Sequence, residues 1–334
     1  MREPSAWWTK PGPAAALLSP LAAVYDAIAV RRMRRPGQRL PVPVVCVGNP
    51  TVGGAGKTPT AIALARLLQR AGRKPAFLSR GYGGRHAGPV SVDISCNADD
   101  VGDEPLLLAR VAPTIVARDR TAGARMAITA GADVVVMDDG FQNPALVKDF
   151  AILVVDGRRG VGNGRVLPAG PLRADLRAQM ERAHALLVIG ECSQLAAPAL
   201  DAARAGDLPV WQGRLAADPT AVAALAGQPA LAFAGIGDPE KFFDTLDRVG
   251  IEARLRRGFD DHHHFTSQDA ADLIARADRD GLTLITTEKD HVRLRGTPVL
   301  CELGRRAKVL PVALVFDQEA AVIDQLLAAV RSCV

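Results

Sequence analysis

Residues 44–58 read Val-Val-Cys-Val, then Gly48-Asn49-Pro50-Thr51-Val52-Gly53-Gly54-Ala55-Gly56, then Lys57-Thr58. Nothing else in the chain restricts its fold so strongly. A short apolar run ending at a glycine reads as a buried parallel strand. Ile62, Leu64, Ala65, Leu67 and Leu68 give the segment from Thr58 to Ala71 the apolar face of a helix. Between strand and helix, glycines let successive backbone N–H groups turn inward on an anion at the positive end of the helix. This order predicts a phosphate-binding loop. Gly53, Gly54, Ala55, Gly56, Lys57 and Thr58 are then the nucleotide-binding residues, with Lys57 on the β/γ-phosphates and the Thr58 hydroxyl on magnesium. The strict loop has glycine where this chain has Thr51, so the loop is a variant, with Gly53-Gly54 restoring flexibility nearby.

Val134-Val135-Val136-Met137 forms a second buried run, and Asp138 at its carboxyl end is placed to hold the magnesium shell, with Asp139 beside it. Strand signals at 76–78, 114–116, 152–155 and 186–189 alternate with helical patterns. The pattern predicts a P-loop NTPase-like α/β domain of three layers with a mostly parallel sheet. A second, smaller α/β series starts at Leu231 and runs through a helix at 239–249 and strands at 284–286 and 312–315. The chain is therefore expected to divide into an N-terminal helix (1–35), a P-loop domain (36–225) and a second α/β domain (226–334), as its length allows.

Residues 14–30 are apolar except around Ser19, Pro20 and Asp26. As a helix they would extend about 26 Å, short of a hydrocarbon core of roughly 30 Å. Ser19-Pro20 suits a helix start, after which Leu21, Val24, Tyr25 and Ile28 form one stripe. Trp7 and Trp8 precede the segment, and Arg31, Arg32, Arg34 and Arg35 follow it. The arrangement predicts an interfacial helix on anionic lipid at a cytoplasmic membrane face; the competing reading is a helix packed on the protein's own core. Lys+Arg 41 against Asp+Glu 36 leaves only +5, and aromatics are 4%. With these arginines the one dense basic cluster, a membrane surface is favoured over nucleic acid. Cys46, Cys96, Cys192, Cys301 and Cys333 are scattered without a CxxC pair, so neither a disulfide framework nor a zinc site is expected. Arginines follow the apolar run where a cleavage site would stand, so no cleavable signal peptide is expected.

Other nucleotide-using classes fit less well. A guanine reader would carry Asn/Thr-Lys-x-Asp, and Thr287-Glu288-Lys289-Asp290 has its lysine one place late. A dimerising ATPase switch would need a lysine where Val52 stands. His262, His263 and His264 are consecutive, so they cannot all face one ion from a single element.

The blocks GNPTVGGAGKTP (48–59), SRGYGG (79–84), GDEPLLLA (102–109), ARDR (117–120), DDGFQN (138–143), GNGRVLPAGPLR (162–173), AFAGIGDPEKFF (232–243), FDDHHHFT (259–266) and TEKD (287–290) occur in one order. Together they resemble the tetraacyldisaccharide 4'-kinases of lipid A biosynthesis. The resemblance implies transfer of the ATP γ-phosphate, with Mg2+, to the 4' hydroxyl of a lipid A disaccharide 1-phosphate at the inner membrane, with no obligate protein partner. It implies that Asp103 is the base and His262 its hydrogen-bonded partner from the second domain. Arg80, Arg120 and Arg173 are candidate substrate or phosphate contacts, and Glu288, Lys289 and Asp290 candidate domain-interface residues. Asn143 and Ala174 depart from the family's usual His and Glu.

Overall fold

The computed structural model describes residues 4–93 and 95–331, so Cys333 lies outside the described residues. Every residue of β1 (Val44–Gly48) and of β5 (Val134–Asp138) is buried, because the strands lie in mid-sheet with side chains packed on both faces. Val44, Cys46, Val135 and Met137 join one apolar layer; Val45, Val47, Val134 and Val136 join the other, against Leu64, Leu67 and Leu68 of the helix Lys57–Arg70. The remaining strands of this sheet are β2 (Pro75–Ser79), β3 (Val90–Val92), β4 (Thr114–Val116), β6 (Phe150–Asp156), β7 (Ala185–Ile189), β8 (Val210–Ala217) and β13 (Val312–Phe316). The order is β13-β8-β7-β6-β1-β5-β2-β4-β3, parallel except for the edge pairs β3–β4 and β13–β8. In register, Val47 pairs with Asp138, which brings the P-loop and the acid together at the carboxyl edge.

A second, all-parallel sheet has the order β10-β9-β11-β12, from β9 (Ala230–Ala234), β10 (Ala253–Gly258), β11 (Thr283–Thr286) and β12 (Lys308–Val309). Its two faces carry separate cores, one around Phe233, Leu273 and Leu303, the other around Phe243, Leu246 and Ile285. The expected second domain is corrected at its end. β13 returns to the first sheet beside β8, and Val322, Leu326 and Val330 of the last helix, Glu319–Arg331, pack in the P-loop helix layer. An apolar strand signal carries no label for the sheet it joins, and β8 offered the open edge. The chain leaves the first sheet at Ala217 and re-enters at Val312, which are ladder partners; Asp218 N–H donates to the Pro311 carbonyl at 2.9 Å.

The N-terminal helix spans Pro13–Met33, with Gly12 as N-cap and Pro13 opening the first turn, not Ser19 and Pro20 as the sequence suggests. Pro20 costs the helix one backbone hydrogen bond; the Ser19 hydroxyl donates to the Ala15 carbonyl at 2.8 Å beside that gap. The helix rests on the domain through its small face, with Ala15, Ala22 and Met33 buried, while Leu17, Leu21, Val24, Tyr25 and Ile28 are exposed. The mean hydropathy of 1.6 and the length of 21 residues would suffice for a membrane crossing. Yet Asp26 accepts the Asp175 N–H at 2.6 Å, and Trp7 donates its indole N–H to the Pro168 carbonyl at 3.2 Å. Trp8 lies under the Arg159 guanidinium at 5.0 Å. The tryptophans thus tether the helix to the domain.

Candidate functional site

The P-loop is braced from behind by a segment that no nucleotide motif marks. Arg173 N–H donates to the Pro50 carbonyl at 2.8 Å and its Nε to the Thr51 carbonyl at 2.9 Å, while Val52 N–H donates to the Pro171 carbonyl at 2.9 Å. Thr51 is therefore held in a short bridge with Leu172, a position that does not require glycine. Gly53 and Gly56, by contrast, take φ of 93° and 91°, where a side chain would be strained. Buried Asn49 accepts Lys57 Nζ at 3.1 Å and donates to the Gly53 carbonyl at 3.2 Å. Gln142 Nε2 donates to the Asn49 carbonyl and to Gln179 Oε1, each at 2.9 Å, and Gln179 Nε2 donates to the Pro50 carbonyl at 3.2 Å. Sequence reasoning missed Asn49, Gln142 and Gln179; their only signal was their position inside or beside the quoted blocks. Ala174, one of the departures, is buried, and its carbonyl accepts from Gln179 at 2.7 Å.

The two adjacent acids have different environments. Asp138 Oδ2 accepts the Thr58 hydroxyl at 2.9 Å, and its Oδ1 is buried with no hydrogen-bond partner among the described residues. Burial, reinforced by Glu104 and Asp139 and opposed by Lys57, pushes the Asp138 carboxyl up to about 7. Asp139, at a φ of 53°, receives both Arg173 Nη atoms at 3.0 and 3.2 Å and lies 3.6 Å from Lys57 Nζ. Burial works to raise its carboxyl too, but Lys57 and Arg173 overcome it and hold the group below its ordinary range. A hydroxyl and a carboxylate with one unclaimed buried oxygen suit a hard cation that takes few protein ligands and completes its shell with phosphate oxygens. Thr58 and Asp138 fit magnesium; Asp139 is committed to the basic side chains.

Asp103 opens the helix Asp103–Ala109 and is 4% exposed. Its Oδ1 accepts the Glu104 N–H at 2.8 Å, and its Oδ2 meets His262 Nδ1 at 3.2 Å. The expected pair thus assembles from the two sheets' units, with His262 at a φ of 54°. The same Oδ2 receives Arg293 Nε at 2.8 Å and Arg293 Nη2. Burial would raise the Asp103 carboxyl, but Lys289, the His262 hydrogen bond and Arg293 hold it well below the ordinary carboxylate range. Lys289 Nζ donates to Glu104 Oε1 at 3.2 Å and lies 3.5 Å from His262 Nε2.

These groups converge on one cleft of 2360 Å³, whose lining includes Gly53–Thr58, Asp138, Asp139, Arg80, Arg173, His262 and Lys289. Asp103 lies behind His262, outside that lining. Arg80 is exposed in the wall. Arg120 is corrected: it is 2% exposed, absent from the lining, and donates to the Ala117 carbonyl. It begins the helix Arg120–Thr129, on the side that buries Gly123, Ala124 and Ala127 as well. The histidine run diverges, as its spacing requires. His263 bonds Asp269 at 3.0 Å and stacks on Phe259, while His264 is exposed near Asp99.

Residues 14–331 match a family model described as tetraacyldisaccharide-1-P 4'-kinase. A tetraacyldisaccharide 4'-kinase of Methylobacterium sp. (strain 4-46) is 56% identical over 93% of this chain and 94% of its own length. One of Rhodopseudomonas palustris (strain BisA53) is 54% identical over 96% and 93%. A crystal structure from Aquifex aeolicus, described as LpxK in complex with ATP, superposes with a TM-score of 0.72 at 25% identity, covering 95% of this chain and 99% of that one.

Proposed function

Starting from the fact that this chain belongs to the tetraacyldisaccharide 4'-kinase family, we propose how its residues carry out the transfer. It is an ATP-dependent kinase that phosphorylates the 4' hydroxyl of a tetraacyl disaccharide 1-phosphate in lipid A biosynthesis. The backbone of Gly53–Gly56 and Lys57 hold the β- and γ-phosphates. Thr58 and Asp138 hold Mg2+, which neutralises charge on the phosphate oxygens when bound. Asp139 orients Lys57 and Arg173 toward the same phosphates. The acceptor hydroxyl attacks the γ-phosphorus, its proton passes to the Asp103–His262 pair, and the bond to the β-phosphate bridging oxygen breaks to release ADP.

One observation carries this reading: the Asp103–His262 contact at 3.2 Å, formed between the two units beside the same cleft as Lys57, Thr58 and Asp138. The second unit is proposed to close over the P-loop and exclude water from the γ-phosphate. Arg80 is proposed to contact the acceptor. The exposed stripe on the N-terminal helix, with Arg31, Arg32, Arg34 and Arg35 exposed at its end, supports a peripheral position on the cytoplasmic face of the inner membrane, where ATP is available. The test is incubation with γ-labelled ATP, Mg2+ and a panel of glycolipids. Label should enter the disaccharide 1-phosphate; label found only as free phosphate would instead favour an ATP-driven switch.

A further inference from the structure

Arg293 belongs to none of the quoted blocks, yet its side chain is only 8% exposed and every arm of its guanidinium is engaged. Nε and Nη2 reach Asp103 Oδ2, while Nη1 donates to the Gly235 carbonyl at 2.8 Å and to Asp290 Oδ1 at 3.0 Å. Asp290 is itself fully buried and fixed by the Thr287 hydroxyl at 2.7 Å. The guanidinium is planar, so fixing one edge on Asp290 and Gly235 dictates where the other edge presents its donors. That other edge meets a carboxylate that is 4% exposed and already holds His262. With Glu104 N–H on Oδ1 and Arg293 plus His262 on Oδ2, Asp103 has no freedom to rotate.

We infer that Arg293 is a positioning residue for phosphoryl transfer, acting through Asp103: it fixes the carboxylate on His262 and makes that geometry depend on docking of the second unit. The inference rests on the reading of Asp103 and His262 as the pair that takes the hydroxyl proton. An ordinary interface ion pair would stabilise the docked arrangement whatever became of Asp103 chemistry. A positioning residue loses its effect on turnover once Asp103 can no longer act. A lysine at this position would retain the charge, but a single ammonium cannot span Asp103, Asp290 and the Gly235 carbonyl in one plane.

The test is a kinetic cycle on the full chain with Arg293→Gln, Arg293→Lys, Asp103→Asn and each combination with D103N. Arg293→Gln should lower kcat by about a hundredfold and Arg293→Lys by about tenfold, with KM for ATP changed by less than about twofold. In the D103N background either change should cost less than about a further twofold. Thermal unfolding of each variant accompanies the cycle, and should Arg293→Gln fail to fold, the Arg293→Lys arm decides alone. Equal losses with and without D103N would overturn the inference and leave Arg293 a structural contact. Near-wild-type turnover in both Arg293 variants would overturn it as well. Near-wild-type turnover in Asp103→Asn alone is a different result: it removes the reading of the pair, and the inference falls with it.

Discussion

At the scale of single residues, burial and hydrogen bonding give the adjacent acids separate surroundings. Asp138 has an unclaimed buried oxygen beside the Thr58 hydroxyl, whereas Asp139 is saturated by Arg173 and Lys57. Asp138→Asn should therefore raise the Mg2+ concentration needed for half-maximal rate and lower turnover by at least about a hundredfold. Asp139→Asn should act mainly on KM for ATP, by loosening Lys57. A Mg2+ titration of both variants separates the two roles, and equal shifts in Mg2+ requirement would refute the division. Asp103 supplies a pH test. Its carboxyl is held below the ordinary 3.8, so its contribution to stability is complete above that value and is lost as pH falls through the folded value. The gap in thermal midpoint between wild type and Asp103→Asn should stay constant between about pH 5 and 8 and narrow below about pH 4. A gap that persists into acid would show that the charge on Asp103 does not stabilise the fold. The places of Lys57 and Thr58 were legible in the sequence because strand, loop and helix are contiguous, and that of Asp138, 80 residues from Thr58, because it ends its own apolar strand. Asn49, Gln179 and Arg293 were not, because an amide or guanidinium takes its role from folded geometry: Asn49 meets Gly53 and Lys57 only once the loop has turned, and Arg293 meets Asp103 only across the two units. Arg120 was misread for the same reason, since its burial is a tertiary fact.

At the scale of elements, the N-terminal helix inverts the usual amphipathic arrangement. Ala15, Ala22 and Met33 face the protein, while Leu17, Leu21, Val24, Tyr25 and Ile28 face outward. The stripe was readable from periodicity alone, but which way it pointed was not. A triple substitution Leu21→Gln, Val24→Gln, Ile28→Gln should strongly reduce sedimentation with vesicles while shifting stability by no more than about 0.5 kcal/mol per site, as expected for exposed positions. A thermal midpoint several degrees lower with vesicle binding intact would mean that the stripe packs on protein. Replacing Arg31, Arg32, Arg34 and Arg35 with Ser should remove the salt sensitivity of vesicle binding, each arginine being worth about 1 kcal/mol on an anionic leaflet. Turnover on detergent-dispersed acceptor should change far less in both variants.

At the scale of the whole molecule, the two units meet through charge on both flanks of the cleft. On one side Arg293 and Lys289 reach Asp103 and Glu104; on the other, Arg158 and Arg159 reach Asp238, and Lys241 reaches Asp156. Asp238→Asn removes a partner from two arginines, so it should populate more open forms, seen as a larger radius of gyration in small-angle scattering, and raise KM for ATP severalfold. An unchanged radius with unchanged KM would mean that this flank does not govern closure. Alternating β and α signals sufficed to anticipate two α/β units. They could not reveal that β13 turns back, because Val312–Phe316 is an apolar run suited to either sheet. That return has a mechanical meaning. The chain passes from one unit to the other at Ala217 and back at Val312, and these residues face each other across a single rung of the β8–β13 ladder. A body hung from one cord can swing in any direction, and one hung from two cords far apart can hardly swing at all. Two cords rising from the same rung act as the knuckle of a door, leaving one easy axis of rotation, so that any swing of the second unit would take His262 away from Asp103 and bring it back along the same arc.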